Sequence, residues 1–343
     1  MKRHLNTLFV TTQRAYLAAE GETLLVKVEG KIKLRVPLHM LEGVVCFGNV
    51  GASPFLMGRC GQRNIAMAFL TERGRFLARV VGPVSGNVLL RRAQYRWADD
   101  PQRAALIART CVAAKIANSR GVLQRGLRDH AERIAAEPVR EAVRELERGV
   151  RRAVSSDSVD SVRGVEGDAA RAYFGVLDHL ITCGDDALRF EKRSRRPPTN
   201  AVNALLSFVY TLLLHDVVGA LSAVGLDAQV GFLHRDRPGR PGLALDLMEE
   251  LRAFFADRLV LSLLNRRQVR AKGFEVRETG GVYMDDETRK TVLTAYQERK
   301  QEELKHPFLD EKTTVGMLPH LQAILLARHI RGDIDAYPAF IAK

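Results

Sequence analysis

Residues 201–226, AVNALLSFVYTLLLHDVVGALSAVGL, form the longest apolar stretch of the chain. Asn203, His215 and Asp216 interrupt the stretch, which makes it a poor membrane span. A helix that is apolar on nearly all sides is typically buried at the centre of a domain. We therefore predict a central buried helix over about residues 200–225, with a second element after it and no membrane span.

A loop and a helical run follow in residues 231–250, GFLHRDRPGRPGLALDLMEE. His234 precedes the Gly/Pro loop, and Asp246, Glu249 and Glu250 lie in an otherwise apolar helical pattern. Residues three apart share a helix face, so Asp246 and Glu249 point the same way. Ionised carboxylates near a packed interior need a partner, and a divalent cation held by oxygen and imidazole ligands satisfies both acids. Such a ligand set favours Mg²⁺ or Mn²⁺ over a structural zinc ion.

The same residues have a second interpretation that needs no metal. Asp246, Glu249 and Glu250 are also explained as early acids that complement a helix dipole, in a helix that starts near Pro241. His234 is then an ordinary loop residue. Short motifs of common residues match by accident, so spacing alone leaves both interpretations open.

Upstream, residues 163–174, RGVEGDAARAYF, place Glu166 at the start of a helix predicted over 166–183. A site built from His234, Asp246 and Glu249 has room for another acid, which Glu166 can supply. An acid in the first turn of a helix is also favourable for dipole reasons alone, and Asp168 fits the same role.

The composition indicates a folded, basic protein. With 343 residues, of which 46% are hydrophobic, the chain is long enough for two domains with their own cores. The formal net charge of +13 favours a polyanionic partner, most simply nucleic acid. Each single arginine cluster is also explained as a solvated helix end. The clusters are Arg151 and Arg152; Arg193, Arg195 and Arg196; and Arg266, Arg267 and Arg270.

The cysteines and the N-terminus indicate a cytoplasmic protein. Cys46, Cys60, Cys111 and Cys183 form no CxxC pair, so neither a zinc knuckle nor a redox motif is supported, and reduced thiols are expected. The N-terminal sequence MKRHLNTLFVTT has no apolar core of signal-peptide length.

The hydrophobic period changes near residue 97, and a polar stretch at 98–102 is a candidate linker. Short β-branched segments before it, separated by glycines, predict strands over 23–28, 31–36, 43–47, 65–70 and 76–81 and a short helix at 53–60. Beyond it, a helical period predicts helices over about 101–128, 138–153, 166–183, 200–225, 242–266, 286–304 and 317–331, with a hairpin at 274–284 that turns at Gly280 and Gly281.

These patterns predict an α+β fold. A small N-terminal β-rich domain, residues 1–97, is joined to a larger, mostly α-helical catalytic domain, residues 98–343. Ionisable groups with ligand spacing cluster only in the helical half, so we place the chemistry there. The β-rich domain is then expected to serve dimerisation or partner docking.

The order of motifs along the chain resembles one family, the CRISPR-associated integrase that is protein one of the adaptation module. The segments that resemble it in the helical half are VEGDAARAYF (165–174), RPPTNAVNALLSFVYTLL (196–213) and GFLHRDRPGRPGLALDLMEELR (231–252). Residues 44–82, VVCFGNVGASPFLMGRCGQRNIAMAFLTERGRFLARVVG, and then LLRRAQY (89–95) resemble the family's β domain and the transition that follows it. The tail, from FEVRETGGVYM (274–284) through LPHLQAILLARHIRGDIDAYPAF (318–340), most resembles the type I-C branch.

The resemblance implies a homodimeric, metal-dependent DNA integrase and endonuclease with Mg²⁺ or Mn²⁺ as cofactor. It assigns the metal to Glu166, His234 and Glu249, and it adds Asp246 to the catalytic set as a ligand or a supporting group. In the implied reaction, the 3′-hydroxyl of a short captured DNA attacks a phosphodiester where the leader of a CRISPR array meets the repeat. Water in place of the hydroxyl gives cleavage.

No covalent enzyme intermediate is needed for this reaction. Tyr173 and Tyr210 could suggest a tyrosine recombinase, but their helical context favours core or DNA-contacting residues over nucleophiles. Side chains around the predicted site are candidates for binding DNA phosphates. These candidates are Arg193, Arg195, Arg196, Asn200, Asn203, Arg235 and Arg237.

The resemblance also implies the partners. These are double-stranded DNA, as captured fragment and as CRISPR repeat, and a small ferredoxin-like adaptation protein that bridges two dimers. For a type I-C system it adds a nuclease of the iron-sulfur kind that trims the captured DNA.

Two other functions fit the same residues. One is a stand-alone metal nuclease that acts on branched DNA in repair, which needs the same site and the same basic surface. The other is a non-catalytic, basic nucleic-acid scaffold in which the acids cap helices. The scaffold predicts that Glu166→Ala and His234→Ala leave DNA-linked function intact.

Overall fold

A computed structural model gives the structure of the protein, and it describes residues 6–63, 65–72, 74–82, 88–130, 132–195, 197–278 and 280–342. The chain divides into two compact units, Met1–Gly86 and Asn87–Lys343. The division falls before the boundary expected at residue 97, because residues 88–99 are helical and lie in the second unit.

Unit 1 is β-rich, as the sequence predicts. Its elements are β1 (Asn6–Val10), β2 (Tyr16–Glu20), β3 (Thr23–Val28), β4 (Lys31–Pro37), β5 (Leu41–Phe47), β6 (Gly51–Ala52), α1 (Pro54–Gln62), β7 (Ala66–Leu70) and β8 (Phe76–Val80). The predicted strands and the short helix are confirmed, and β1, β2 and β6 add to them.

Two sheets share one core among the described residues of unit 1. One sheet has the strand order β1-β5-β7-β8 and the other has the order β4-β3-β2-β6. Leu17 and Leu24 of the second sheet are buried in one cluster with Val44 and Met67 of the first, and Leu56 of α1 joins them. Burial of these side chains stabilises the unit by the hydrophobic effect.

Unit 2 is mostly helical. Its elements are α2 (Val88–Asp99), α3 (Pro101–His130), α4 (Ala136–Val154), α5 (Val159–Gly175), α6 (Ala201–Val224), α7 (Gly242–Leu251), α8 (Arg258–Asn265), β9 (Phe274–Val276), β10 (Val282–Met284), α9 (Asp286–Gln301), β11 (Glu303–Lys305), β12 (Lys312–Thr314) and α10 (Leu318–Arg331). The predicted hairpin at 274–284 is confirmed as the antiparallel pair β9 and β10.

Helix α6 is the buried central helix that its composition predicts. Its most apolar window has a mean hydropathy of 1.8, and by length and composition alone this helix could cross a membrane. However, 56% of that window is buried inside the protein, and α6 contacts α7 and α10.

One linker and two helices predicted in unit 2 were wrong at their bounds. The segment taken as a linker contains the end of α2 and the start of α3, and only Asp100 separates them, where its side chain accepts from the backbone N–H groups of Gln102 and Arg103. The helix predicted over 166–183 begins at Val159, because Ser158 caps it by accepting from the N–H of Ser161.

The helix predicted over 242–266 is interrupted. Between α7 and α8 the backbone forms a π-helical segment, Arg252–Asp257, which inserts an extra residue into the turn and changes the direction of the side chains that follow. The insertion shifts the phase of the hydrophobic pattern, but apolar residues are so dense in LMEELRAFFADRLVLSLL (247–264) that the shift is not evident from the sequence.

Candidate active site

Asp246 fixes the loop that carries His234. Its carboxylate, 1% exposed, accepts from the backbone N–H groups of Phe232 at 2.6 Å and Leu233 at 2.9 Å through Oδ2. Oδ1 accepts from the N–H of His234 at 3.0 Å and lies 2.6 Å from Nδ1 of the same residue. Both oxygens of Asp246 are therefore engaged behind His234. A neutral imidazole that donates from Nδ1 keeps the lone pair of Nε2 for a ligand.

Two glycines make this approach possible. A Cβ on Gly231 would lie 2.6 Å from the backbone of Gly242 and 2.7 Å from Asp246 Oδ2, and a Cβ on Gly242 would lie 2.7 Å from the carbonyl oxygen of Gln229. Contacts this short do not occur at real side chains, so the loop closes on the start of α7 only with glycine at both positions.

Glu166 and Glu249 come together through a lysine. Glu166 lies in the middle of α5, so the first-turn dipole explanation is wrong for this residue, and it is wrong for Asp168 on the same helix. The Lys115 ammonium on α3 forms an ion pair with Glu166 Oε1 and lies 2.7 Å from Glu249 Oε2. Helix α3 contacts both α5 and α7, which is why its lysine can reach both acids.

Glu249 is held as a carboxylate by positive charge. Burial alone would raise its pKa, but Arg252, Lys115 and His234 lower the pKa to about 2. Arg252 Nη1 lies 3.1 Å from Glu249 Oε1. The Lys115 ammonium pairs with Oε2 at 2.7 Å.

The neighbouring Glu250 has a different role. Its oxygens accept from the Tyr337 hydroxyl at 2.6 Å, the Phe340 N–H at 2.8 Å and the Gln322 amide at 2.9 Å. Burial raises the pKa of Glu250 to about 7, although these hydrogen bonds act in the opposite direction. Glu250 therefore ties the C-terminal segment to α7 and does not face the site. We call the Glu249 side of α7 the front and the Glu250 side the rear.

The predicted ligands line one cavity of about 310 Å³, which Glu166, His234 and Glu249 share. Arg163 lies three residues before Glu166 and donates from Nε to the carbonyl oxygen of Leu233 at 2.8 Å, which ties α5 to the histidine loop. Four arginines that line this cavity form what we call the basic rim. They are Arg163, Arg235, Arg237 and Arg240.

The donor set suits a hard divalent cation. Carboxylate and imidazole donors that meet in one cavity are typical ligands of Mg²⁺ and Mn²⁺, and Glu249 Oε2 is a buried carboxylate oxygen that already faces a cation, the Lys115 ammonium. Within the described residues, no three His, Cys, Asp or Glu side chains are already spaced around a metal position. The reason in this cavity is local, because the Lys115 ammonium lies against both glutamates.

Tyr173 and Tyr210 are internal. Their hydroxyls donate to the two oxygens of Asp257, at 3.0 Å and 2.6 Å. Burial, followed by the charge of Asp257, raises the pKa of both phenols well above the ordinary value. Phenols held in this way support the predicted core role and not that of a nucleophile.

The candidates for DNA binding differ in whether their side chains already have partners inside the protein. The prediction was wrong for Asn203, which is 0% exposed and bonds Arg193, Ser194 and Lys192 through its amide. Arg193 donates to Asn203 and Ser207 and lies over the Tyr210 ring. Asn200 caps α6. The side chains of Arg193 and Asn200 are therefore engaged in contacts within the protein. Arg235 and Arg237 line the cavity that the predicted ligands share. Arg195 is exposed and lines a second, smaller cavity. Arg196 lies outside the described residues.

Sequence reasoning missed four charged residues of the site. Arg163 shares the face of Glu166 at a spacing of three, and Lys115 is a single charge in the apolar run CVAAKIAN, so both left a signal in the sequence. Arg240 and Arg252 left none, because arginine is common throughout the chain.

Residues 8–298 match the family model described as CRISPR associated protein Cas1, and the chain belongs to this family. It is 57% identical over 341 residues to the CRISPR-associated endonuclease Cas1 1 of Chlorobaculum tepidum, covering 99% of both chains. It is 34% identical over 339 residues to a CRISPR-associated exonuclease Cas4/endonuclease Cas1 fusion of Geobacter sulfurreducens, covering 98% of this chain and 60% of the fusion.

Solved structures share the fold. A Cas1 protein from Thermotoga maritima superposes with a TM-score of 0.80 at 25% identity, over 95% of this chain and 97% of that one. A casposase bound to integration product superposes with a TM-score of 0.83 at 21% identity, over 98% of this chain and 94% of that one. A chain of a Cas6-RT-Cas1–Cas2 complex superposes with a TM-score of 0.80 at 22% identity, over 98% of this chain and 36% of that one. The predicted family, the α+β fold class and the endonuclease class are confirmed.

Proposed function

We propose that this protein is a metal-dependent DNA integrase and endonuclease that inserts short foreign DNA fragments into a CRISPR array. The 3′-hydroxyl of the fragment attacks a phosphodiester at the leader-repeat junction. The observation that carries the proposal is the convergence of Glu166, His234 and Glu249 on one cavity with a basic rim. An acid, an imidazole and a second acid from three separate segments line the same cavity as four arginines.

The three residues hold one Mg²⁺ or Mn²⁺ ion. When bound, the ion stabilises the charge that develops on the attacked phosphate and activates the attacking hydroxyl or water. Asp246 acts through His234. It accepts hydrogen bonds from the backbone N–H and from Nδ1 of His234, which holds the loop in place and leaves the lone pair of Nε2 for the metal. We therefore assign Asp246 a positioning role within the predicted catalytic set.

The basic rim holds the DNA backbone. Arg235 is 3.1 Å from Asp160, which also pairs with Arg163, and both ion pairs are at the surface. Exposed ion pairs of this kind are weak, so these guanidinium groups can exchange the carboxylate for phosphate. Contacts to phosphate fix the position of the DNA without selecting its sequence.

The predicted partners are part of the proposal. The structurally similar Cas6-RT-Cas1–Cas2 complex supports an assembly with a Cas2 protein, here the small ferredoxin-like partner. The fusion of a Cas4 exonuclease to Cas1 in Geobacter sulfurreducens supports an assembly with a nuclease. We propose that the protein is a cytoplasmic homodimer, that unit 1 serves dimerisation or docking, and that its DNA partners are the captured fragment and the repeat. The trimming nuclease of the iron-sulfur kind and the type I-C assignment stay predictions.

A strand-transfer assay tests the function. Short duplexes with 3′-hydroxyl ends and a supercoiled plasmid that carries a leader and repeat are incubated with Mn²⁺, Mg²⁺ or EDTA, with and without the partner protein. We expect metal-dependent joining at the leader-repeat junction, lost in His234→Ala and Glu166→Gln. Asp168→Asn is the matched control, because Asp168 lies on the same helix but pairs with Arg152 at the surface.

Two results would contradict the proposal. Cleavage of branched DNA without joining, even with the partner present, would favour the repair nuclease. DNA binding without chemistry under any metal, unchanged in both site variants, would favour the scaffold.

A further inference from the structure

Lys115 of α3 forms ion pairs with both proposed acidic ligands. Its side chain is 12% exposed and emerges from a helix segment whose neighbours Ala114 and Ile116 are buried. The ammonium pairs with Glu166 Oε1 and lies 2.7 Å from Glu249 Oε2. A charge carried this far into an apolar helix face needs its two acidic partners.

The two cations on Glu249 are not equivalent. Arg252 pairs with Oε1, and its guanidinium also lies over the Tyr210 ring, 5.2 Å from the centroid. Lys115 pairs with Oε2 at 2.7 Å and has no aromatic ring against it in the contacts of the described residues. Arginine is a rigid fork held at two points, whereas the lysine ammonium is a point charge on a flexible stem. Lys115 is therefore the cation that can leave.

The lysine also has space to leave. Lys115 and Glu166 line the second, smaller cavity of about 30 Å³, and the charged or polar residues that also line it include Ser119, Asp257, Arg195 and Arg252. Glu166 borders both cavities, while His234 and the basic rim line only the main one among the two. The ammonium and the histidine thus reach the carboxylates from different sides.

An ammonium and a divalent cation that are both held by these two carboxylates repel each other. At a site shielded from water, like charges a few ångströms apart repel strongly. We infer that Lys115 is an internal counter-ion that holds Glu166 and Glu249 together before the metal binds and is displaced when it binds. The inference rests on the metal site proposed above. Lys115 then competes with the metal and lowers its affinity, while it stabilises the metal-free protein.

Metal titration of the full-length protein tests this. The Kd for Mn²⁺ is measured by calorimetry at pH 7.5 for wild type, Lys115→Met and Lys115→Arg, and thermal unfolding is recorded without metal and at saturation. In Lys115→Met we expect Mn²⁺ to bind at least tenfold more tightly, and we expect the Tm without metal to fall. In Lys115→Arg, a fork that grips both carboxylates should weaken Mn²⁺ binding by at least tenfold.

Lys305→Met is the matched control, since Lys305 pairs with Asp310 on an exposed hairpin. Mn²⁺ binding to Lys115→Met that is equal to or weaker than wild type would overturn the competition. If Lys115→Met does not fold, Lys115→Arg decides, and unchanged or tighter binding in that variant would overturn it as well. Failure of the metal site itself is separate: wild type would then bind no Mn²⁺, or would bind it equally in Glu166→Gln and Glu249→Gln.

Discussion

The front and the rear of α7 place two adjacent glutamates in opposite environments. Glu249 and Glu250 are 2% and 0% exposed, yet the pKa of the first is lowered to about 2 and that of the second is raised to about 7. Burial is common to both, so it does not explain the difference. The partners do: cations surround Glu249, and neutral donors surround Glu250. A buried carboxylate is thus available to a metal only where its surroundings keep it ionised.

The largest effect expected from this comparison is on catalysis. Glu249→Gln should lower strand transfer at least about 1,000-fold, because loss of metal-based charge stabilisation is worth several kcal/mol and each 1.36 kcal/mol is a factor of ten. In Glu250→Gln, the molecules that fold should join DNA at the wild-type rate. The free energy of unfolding should instead fall by about 1–3 kcal/mol, because a buried donor loses its acceptor. Rates in the strand-transfer assay and urea unfolding curves measure the two effects. Equal loss of joining in both variants would remove the distinction between front and rear.

A third buried carboxylate, Asp257, extends the comparison to the dependence of stability on pH. Burial raises the pKa of Asp257 to about 6, although its hydrogen bonds from Tyr210 and Tyr173 act against this. The folded state thus favours the protonated form, so this contribution to stability is fully present below the ordinary pKa near 3.8 and is lost as pH rises through about 6. The unfolding free energy of wild type minus that of Asp257→Asn should fall by about 3 kcal/mol over that window. A difference that is flat from pH 3.5 to 7 would contradict this.

A substitution at Asp246 tests how far metal binding on the front of α7 depends on the residue that orients His234. Asp246→Asn keeps the shape but replaces one acceptor oxygen with a donor, so it cannot serve the loop N–H groups and His234 together. Mn²⁺ affinity should fall by about 10- to 100-fold, as for other residues that orient a metal ligand. Calorimetry measures this, with Asp168→Asn as the control. Affinity equal to wild type would mean that His234 orients itself.

The smallest effect concerns DNA binding at the basic rim. Arg237→Gln should lower the slope of log K against log salt concentration by about one, because one phosphate contact is lost. Lys305→Gln removes the same charge from the β11–β12 hairpin, outside the lining of the main cavity, and should leave the slope unchanged. Fluorescence anisotropy with duplex DNA at several salt concentrations measures both slopes. An equal change in the two variants would mean that only net charge matters.

Much of this fold follows from local sequence patterns. The hydrophobic period distinguishes unit 1 from unit 2, and the apolar stretch 201–226 predicts α6. The start of α5 was missed because a capping serine at position 158 does not alter the hydrophobic period. The π-helical turn at 252–257 was missed because the surrounding sequence is so apolar that a shift in phase is not evident. The candidate site was found through the order of its motifs, whereas spacing alone left the helix-dipole interpretation open.

The sequence by itself determined the family, the α+β class, the basic character and the three proposed ligands, because motif order, period and composition are properties of the chain. Only the tertiary structure decided which partner each acid meets. Lys115 is 51 residues from Glu166, and Glu250 bonds a backbone group 90 residues away. Adjacent residues on a helix point in different directions, so packing of distant segments placed cations beside Glu249 and neutral donors beside Glu250.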